Sequence, residues 1–270
     1  MKVNILTCTF CLLAIVGTCS IATAQIEGVF DAPLLVTYEV VLNTSGYEET
    51  YQGDLQVGAD RSLFHWVKQG EDRLETDEMG HIHEIKHRFA GCVNYHEQAG
   101  AAHWSTRQPL QDSVIVIEEI LPATDWQILP ETRVQKGYTL QKARGTYSGR
   151  TYTVWFIPEL PYRAGPWKLQ GLPGLIVEAA DQAGEVSFFA TSIKKRTDNT
   201  AVRFTLDGRF MDSRTYYTRL ISEPVKRMKL MQAKLPKGSS ISISGFQPNF
   251  IEKEYEAVAK ELMESLNEGG

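Results

Sequence analysis

The run YTLQKARGTYSGRTYTVWFI, Tyr138 to Ile157, reads as two β-strands, Tyr138 to Tyr147 and Arg150 to Ile157, turning at Ser148-Gly149. On the second strand Tyr152, Val154 and Phe156 share one face while Trp155 and Ile157 line the other, the period of two that a pleated strand requires. Just downstream lies PYRAGPWKLQGLPGLI, Pro161 to Ile176, with three prolines and three glycines in sixteen residues. No helix or strand can run through so many breakers. Its other side chains are mostly large and apolar or aromatic (Tyr162, Trp167, Leu169, Leu172, Leu175, Ile176), so this loop is expected to fold against the body of the protein. Leu175 to Ala180 then resumes a strand and pairs with Glu185 to Lys194 across Asp181-Gln182-Ala183-Gly184.

The pattern extends upstream as β throughout. Leu34 to Leu42 is apolar on both faces, and Thr50 to Val57 and Ser62 to Val67 form a hairpin over Gly58-Ala59-Asp60. His81 to Arg88 is a polar strand, Val93 to His96 and Ala101 to Thr106 flank Gly100, and Val114 to Leu121 is strongly apolar. Strand character persists to about Phe204. The period then changes. Asp212 to Ile221 and Pro224 to Leu235 read as two helical segments broken at Pro224, Ser240 to Gly245 alternates as a strand, and Asn249 caps a last helix with Glu252 at the capping-box position. The expected fold is α+β: a large curved antiparallel sheet, a meander or half-barrel, with C-terminal helices at about 212–235 and 249–267 packed on it.

The first 24 residues have the form of a signal peptide: Lys2, an apolar run from Ile5 to Val16, and Ala22-Thr23-Ala24 before Gln25. That run is too short to cross a bilayer, so no transmembrane segment is expected after cleavage following Ala24. Lipoprotein processing at Cys19 is the less favoured alternative, because Thr18 suits it poorly. Cys8, Cys11 and Cys19 lie in the leader, leaving Cys92 alone and no intrachain disulfide. Residues 25–270 suffice for one domain with its own core. The 28 basic residues, one of them Lys2, face 33 acidic ones, an acidic balance that argues against nucleic-acid binding.

The motifs Gly137-Tyr138, Gln141-Lys142-Ala143, Gly149-Arg150, Trp155-Phe156, Pro158-Glu159, Gly165-Pro166 and the hexapeptide Gly171 to Ile176, with a weaker Arg61-Ser62-Leu63-Phe64 upstream, together resemble the GLPGLI family, found mainly in Bacteroidetes. The resemblance covers roughly Val36 to Ile193. It departs at Leu140, where many members have cysteine, so no role of that cysteine carries over. The resemblance implies no particular biochemical activity.

The chemistry-bearing residues are few. The central loop is the best candidate binding site. Tyr162 and Trp167 are amphipathic anchors there, and Arg163 and Lys168 either snorkel along apolar surface or meet a ligand's acid. Gly171 and Gly174 are candidates for positive φ, and the competing reading is a purely structural crossover. His81, His83 and His87 lie on one strand face, a weak candidate metal set, since their polar run reads as an exposed strand. No metal or cofactor is assigned. The sequence contains no Gly-x-Ser-x-Gly elbow, His-Glu-x-x-His helix or phosphate loop, and Asp54, Asp60, Ser62 and His65 fit no triad, so no catalytic residue is assigned. From Lys194 to Lys234 eleven basic residues stand against four acidic ones, enough to steer an anion or to complement the acidic C-terminal helix. The function expected is that of a non-enzymatic exported protein, periplasmic or secreted. It would bind a lipid or other amphipathic ligand, or serve an outer-membrane complex, the alternative being a metal-binding periplasmic protein or an unrecognised hydrolase.

Overall fold

The computed structural model describes residues 23–44, 47–68, 73–76, 82–85, 92–99, 101–110, 113–120, 123–197, 200–232, 234, 252–253 and 255. In chain order the strands begin with Thr23–Asp31 (β1), Leu34–Thr44 (β2), Tyr47–Val57 (β3), Arg61–Lys68 (β4), Arg73–Thr76 (β5) and Ile82–Ile85 (β6). Cys92–Ala99 (β7), Ala101–Leu110 (β8), Ser113–Ile120 (β9) and Gln127–Gln135 (β10) follow. Tyr138–Tyr147 (β11), Arg150–Ile157 (β12), Leu175–Asp181 (β13), Val186–Lys195 (β14) and Ala201–Phe210 (β15) lead into the helix Ser213–Gln232 (α1).

Among the described residues thirteen strands form one sheet in the order β1-β15-β9-β8-β7-β4-β3-β2-β14-β13-β12-β11-β10, and β5 pairs with β6 in a separate two-stranded sheet. All neighbours are antiparallel except β15 and β9, parallel at Arg209–Ile115 and Phe210–Val116. The single meander expected from the sequence is therefore corrected to two, β2 to β9 and β10 to β14, joined where β14 pairs with β2. Burial explains the join. Leu34, Val36, Tyr38, Val40 and Leu42 are buried on one face of β2 and the residues between them are mostly half-buried, so β2 belongs in the middle of a sheet. The Tyr138–Ile157 hairpin has the predicted bounds, and its turn residues Ser148 and Gly149 both have positive φ (49° and 78°), as a two-residue hairpin turn demands.

The main core gathers buried residues of β2, β3, β4, β11, β12, β13 and β14 around Tyr38, Phe64, Tyr152, Phe156 and Phe188, with the loop residues Trp167, Leu169 and Leu172 inside it. A second cluster joins Leu110, Ile115 and Ile117 to Tyr216, Tyr217 and Ile221 of α1. A third lies on the other face of β9, where Val116 meets Phe30, Tyr95, Val202 and Leu206. The Phe30 and Tyr95 rings are 6.3 Å apart although three strands separate β1 from β7.

Helix α1 runs unbroken through Pro224, where the sequence predicts a break between two segments. Proline removes one backbone donor, that to the Leu220 carbonyl. Packing of Ile221 and Ser222, both buried just before it, outweighs that single bond. Asp212 is the N-cap: its Oδ1 accepts from the Thr215 amide at 2.9 Å. The expected strand at Ser240–Gly245 and nearly all of the expected helix at 249–267 lie outside the described residues, as do His81, His87 and the side chains of His83 and Cys92. No helix among the described residues is long and apolar enough to cross a membrane.

Candidate functional site

The central loop is held by its own backbone and by three side-chain donors. Leu175 N donates to Leu160 O at 3.0 Å, Ile176 N to Ala164 O at 3.0 Å, and Gly171 N to Arg163 O at 3.2 Å. The Arg163 guanidinium, exposed at the surface, returns a bond to the Gly171 carbonyl at 3.0 Å, so Arg163 clamps the loop at both ends of one residue. Trp126 Nε1 donates to Gln170 O at 2.7 Å, and the Tyr38 hydroxyl donates to Ile176 O at 2.6 Å. Gly171 has φ +99°, a left-handed conformation that favours glycine. Gly174 serves differently from the expected positive φ: a Cβ there would sit 2.8 Å from the Ile157 carbonyl carbon, so its lack of a side chain permits a close approach.

Tyr162 is half-buried against the core, while Trp167 and Lys168 are 4% and 2% exposed. Consecutive side chains on extended backbone point opposite ways. Trp167 adopts φ +53°, and this left-handed residue lets both neighbours turn inward. The Trp167 ring meets Tyr147 edge-on at 5.5 Å. The Lys168 ammonium lies between two carboxylates, donating to Glu119 Oε2 of β9 at 2.5 Å and to Glu252 Oε1.

Glu252, read from the sequence as a capping-box residue, thus sends its carboxylate into the protein. The Tyr217 hydroxyl of α1 also donates to it, and Tyr255 stacks on the Tyr217 ring at 3.8 Å. Burial alone would pull the Lys168 ammonium down; Glu252 and Glu119 override it and hold the pKa at about 12. Burial, reinforced by the Glu252 charge, pushes the Tyr217 hydroxyl well above its ordinary range. Glu252 Oε2 and the Tyr152 hydroxyl are buried beside this cluster with no partner among the described residues. A second buried pair lies nearby, Arg150 with Asp181 at 2.7 Å, extended to Glu185 at 2.5 Å. Asp181 Oδ1 also accepts from the amides of Glu185 and Val186, closing the turn between β13 and β14.

The charged cluster ties β9, the loop, α1 and the C-terminal segment together, and β9 and α1, with β15, also bound an open cleft of about 560 Å³. Glu118, Arg209, Phe210, Met211, Asp212, Thr215 and Arg219 line it. It exists because the parallel β15–β9 pair brings Arg209 and Phe210 beside β9, and Met211 N donates to Val116 O at 3.1 Å as the chain turns into α1. Phe210 is 49% exposed, a large ring left open at the mouth. Hydrogen bonds from Thr215 hold the Asp212 carboxyl below its ordinary range. Neither Arg209 nor Arg219 makes an ion pair among the described residues.

The sequence-named residues are distributed accordingly. Trp167 and Lys168 meet in the interior, Tyr162 and Arg163 brace the loop, and none lines the cleft. His83 sits on β6 opposite Glu75. Among the described residues no group of three or more His, Cys, Asp or Glu side chains is placed to hold a metal. Asp54 and His65 face each other across β3 and β4, but Ser62, an odd number of residues from His65, points to the opposite face. Arg209 and Arg219 belong to the basic 194–234 stretch, the one sequence signal for the cleft; Phe210 and Glu118 had none.

No family model matches the chain, and no curated protein searched matches it. Among solved structures it is similar to PNGF-II in two crystal forms. The C2 form gives a TM-score of 0.45 at 16% identity over 73% of this chain and 33% of that one. The P21 form gives 0.45 at 18% identity over 69% and 32%, so the match takes in about a third of PNGF-II's length.

Proposed function

We propose that this is an exported, non-enzymatic binding protein of the GLPGLI type that takes an amphipathic ligand in the cleft between β9, β15 and α1. The observation that carries the reading is the cleft itself. Its volume falls within the roughly 300–1,000 Å³ of small-molecule sites, and it sets an exposed aromatic ring and Met211 beside two guanidinium groups that make no ion pair among the described residues. The cationic group of the central loop with least exposure, Lys168, is neutralised by its own carboxylates, so the hexapeptide region acts as scaffold behind the site. A curled, half-barrel form of the sheet belongs to the proposal, supported by the Phe30–Tyr95 contact across three intervening strands. A second C-terminal helix belongs to it too, supported by the stacking of Tyr255 on Tyr217.

Calorimetric titration of residues 25–270 with monomeric dodecyl phosphate tests the reading. Saturable one-to-one binding that is lost in Phe210→Ser combined with Arg219→Glu is expected. Binding unaffected by those two changes, or no saturable binding of any single-chain amphiphile, would overturn it.

A further inference from the structure

The charges of the cleft are balanced, and that balance narrows the ligand. Arg209 and Arg219 stand against Glu118 and Asp212 in one opening, with Phe210 and Met211 as its apolar surface. An anion docked on the two guanidiniums also meets two carboxylates, and a lone ammonium meets two guanidiniums. A neutral apolar ligand would cover part of these four charged groups while offering a partner to none of them. A guanidinium presents a planar fork suited to carboxylate or phosphate oxygens. The end of α1 adds little of its own, because Asp212 already occupies the Thr215 amide.

We propose that the cleft recognises a zwitterionic amphiphile: an oxyanion on Arg209 and Arg219, a primary ammonium on Glu118 and Asp212, and an alkyl or aromatic portion on Phe210 and Met211. This rests on the binding role assigned to the same cleft. Two sources carry that chemistry, an aminoethyl phosphate lipid headgroup and the free α-amino acid group of an apolar amino acid.

The test is competition calorimetry on residues 25–270 with four probes: lauroyl lysophosphatidylethanolamine, dodecyl phosphate, dodecylammonium, each as monomer, and phenylalanine. One or both zwitterions are expected to bind at least tenfold more tightly than the singly charged probe nearest in size. Which zwitterion wins identifies the source. In Glu118→Gln combined with Asp212→Asn, which keeps a capping side chain, that preference should reverse in favour of dodecyl phosphate. Dodecyl phosphate binding as tightly as the zwitterions in the unaltered protein would refute the zwitterion proposal while leaving the binding role intact. Failure of all four probes to bind saturably would remove both.

Discussion

Replacing Lys168 by Met should be among the most damaging single changes in the molecule. The substitution keeps the apolar stem and removes only the ammonium. It leaves Glu119 and Glu252, whose side chains are 13% and 4% exposed, facing each other without a cation. Breaking a buried ion pair from one side costs about 3–5 kcal/mol, because the stranded charge keeps its desolvation penalty. A domain of this size has about 5–15 kcal/mol in total, so Lys168→Met removes a large share of it. Urea unfolding followed by tryptophan fluorescence reads the loss as a lowered midpoint at unchanged slope. Adding Glu119→Gln and Glu252→Gln to the same chain should recover more than half, since the remaining groups are then neutral. A loss under about 1 kcal/mol, the size of an exposed pair, would refute the burial of this cluster.

The same ammonium gives an alkaline signature. Its folded pKa of about 12 lies above the ordinary 10.5, so its stabilisation is complete below pH 10.5 and disappears as pH rises through 12. The stability gap between the unaltered protein and Lys168→Met should shrink by about 2 kcal/mol across that window in urea titrations at stepped pH. At the hexapeptide, Gly171→Ala should lose about 1 kcal/mol from its positive φ, and Gly174→Ala should lose more because its Cβ meets the Ile157 backbone; thermal melts order the two. Asp212→Ala removes the α1 cap and should lower stability by about 1 kcal/mol, whereas Asp212→Asn should be nearly neutral.

Local chemistry made much of the fold legible. The Tyr138–Ile157 hairpin, the Gly58 turn, closed by Gly58 N to Arg61 O at 2.8 Å, and the irregular buried loop all follow from turn residues and alternation within a short window. Strand order did not follow, because pairing β14 with β2 and β15 with β9 joins segments more than ninety residues apart. Edge strand β10 was hidden by Pro130 and by its exposed, half-polar pattern, and β1 by its overlap with the end of the expected leader. Continuity of α1 through Pro224 depends on tertiary packing of its first three turns, which local propensity does not contain.

The candidate site divides the same way. Lys168 was recognisable as an unusual residue in an apolar loop, but its partners lie 49 residues before and 84 after it, so its neutralisation had no local signal. The cleft depends on the β15–β9 pairing and was visible only as a surplus of basic residues. In the expected mature form, cleaved after Ala24, β1 retains Gln25 to Asp31 and its pairing with Asp207 to Ala201.

The most direct measurement is photo-crosslinking of residues 25–270 with a dodecyl phosphate that carries a diazirine near its head, followed by peptide mass spectrometry. Label is expected within residues 209–219 and at Glu118, competed away by unlabelled amphiphile. Competable label concentrated on Pro161 to Ile176 instead, or spread without competition over the sheet, would contradict the binding role of the cleft.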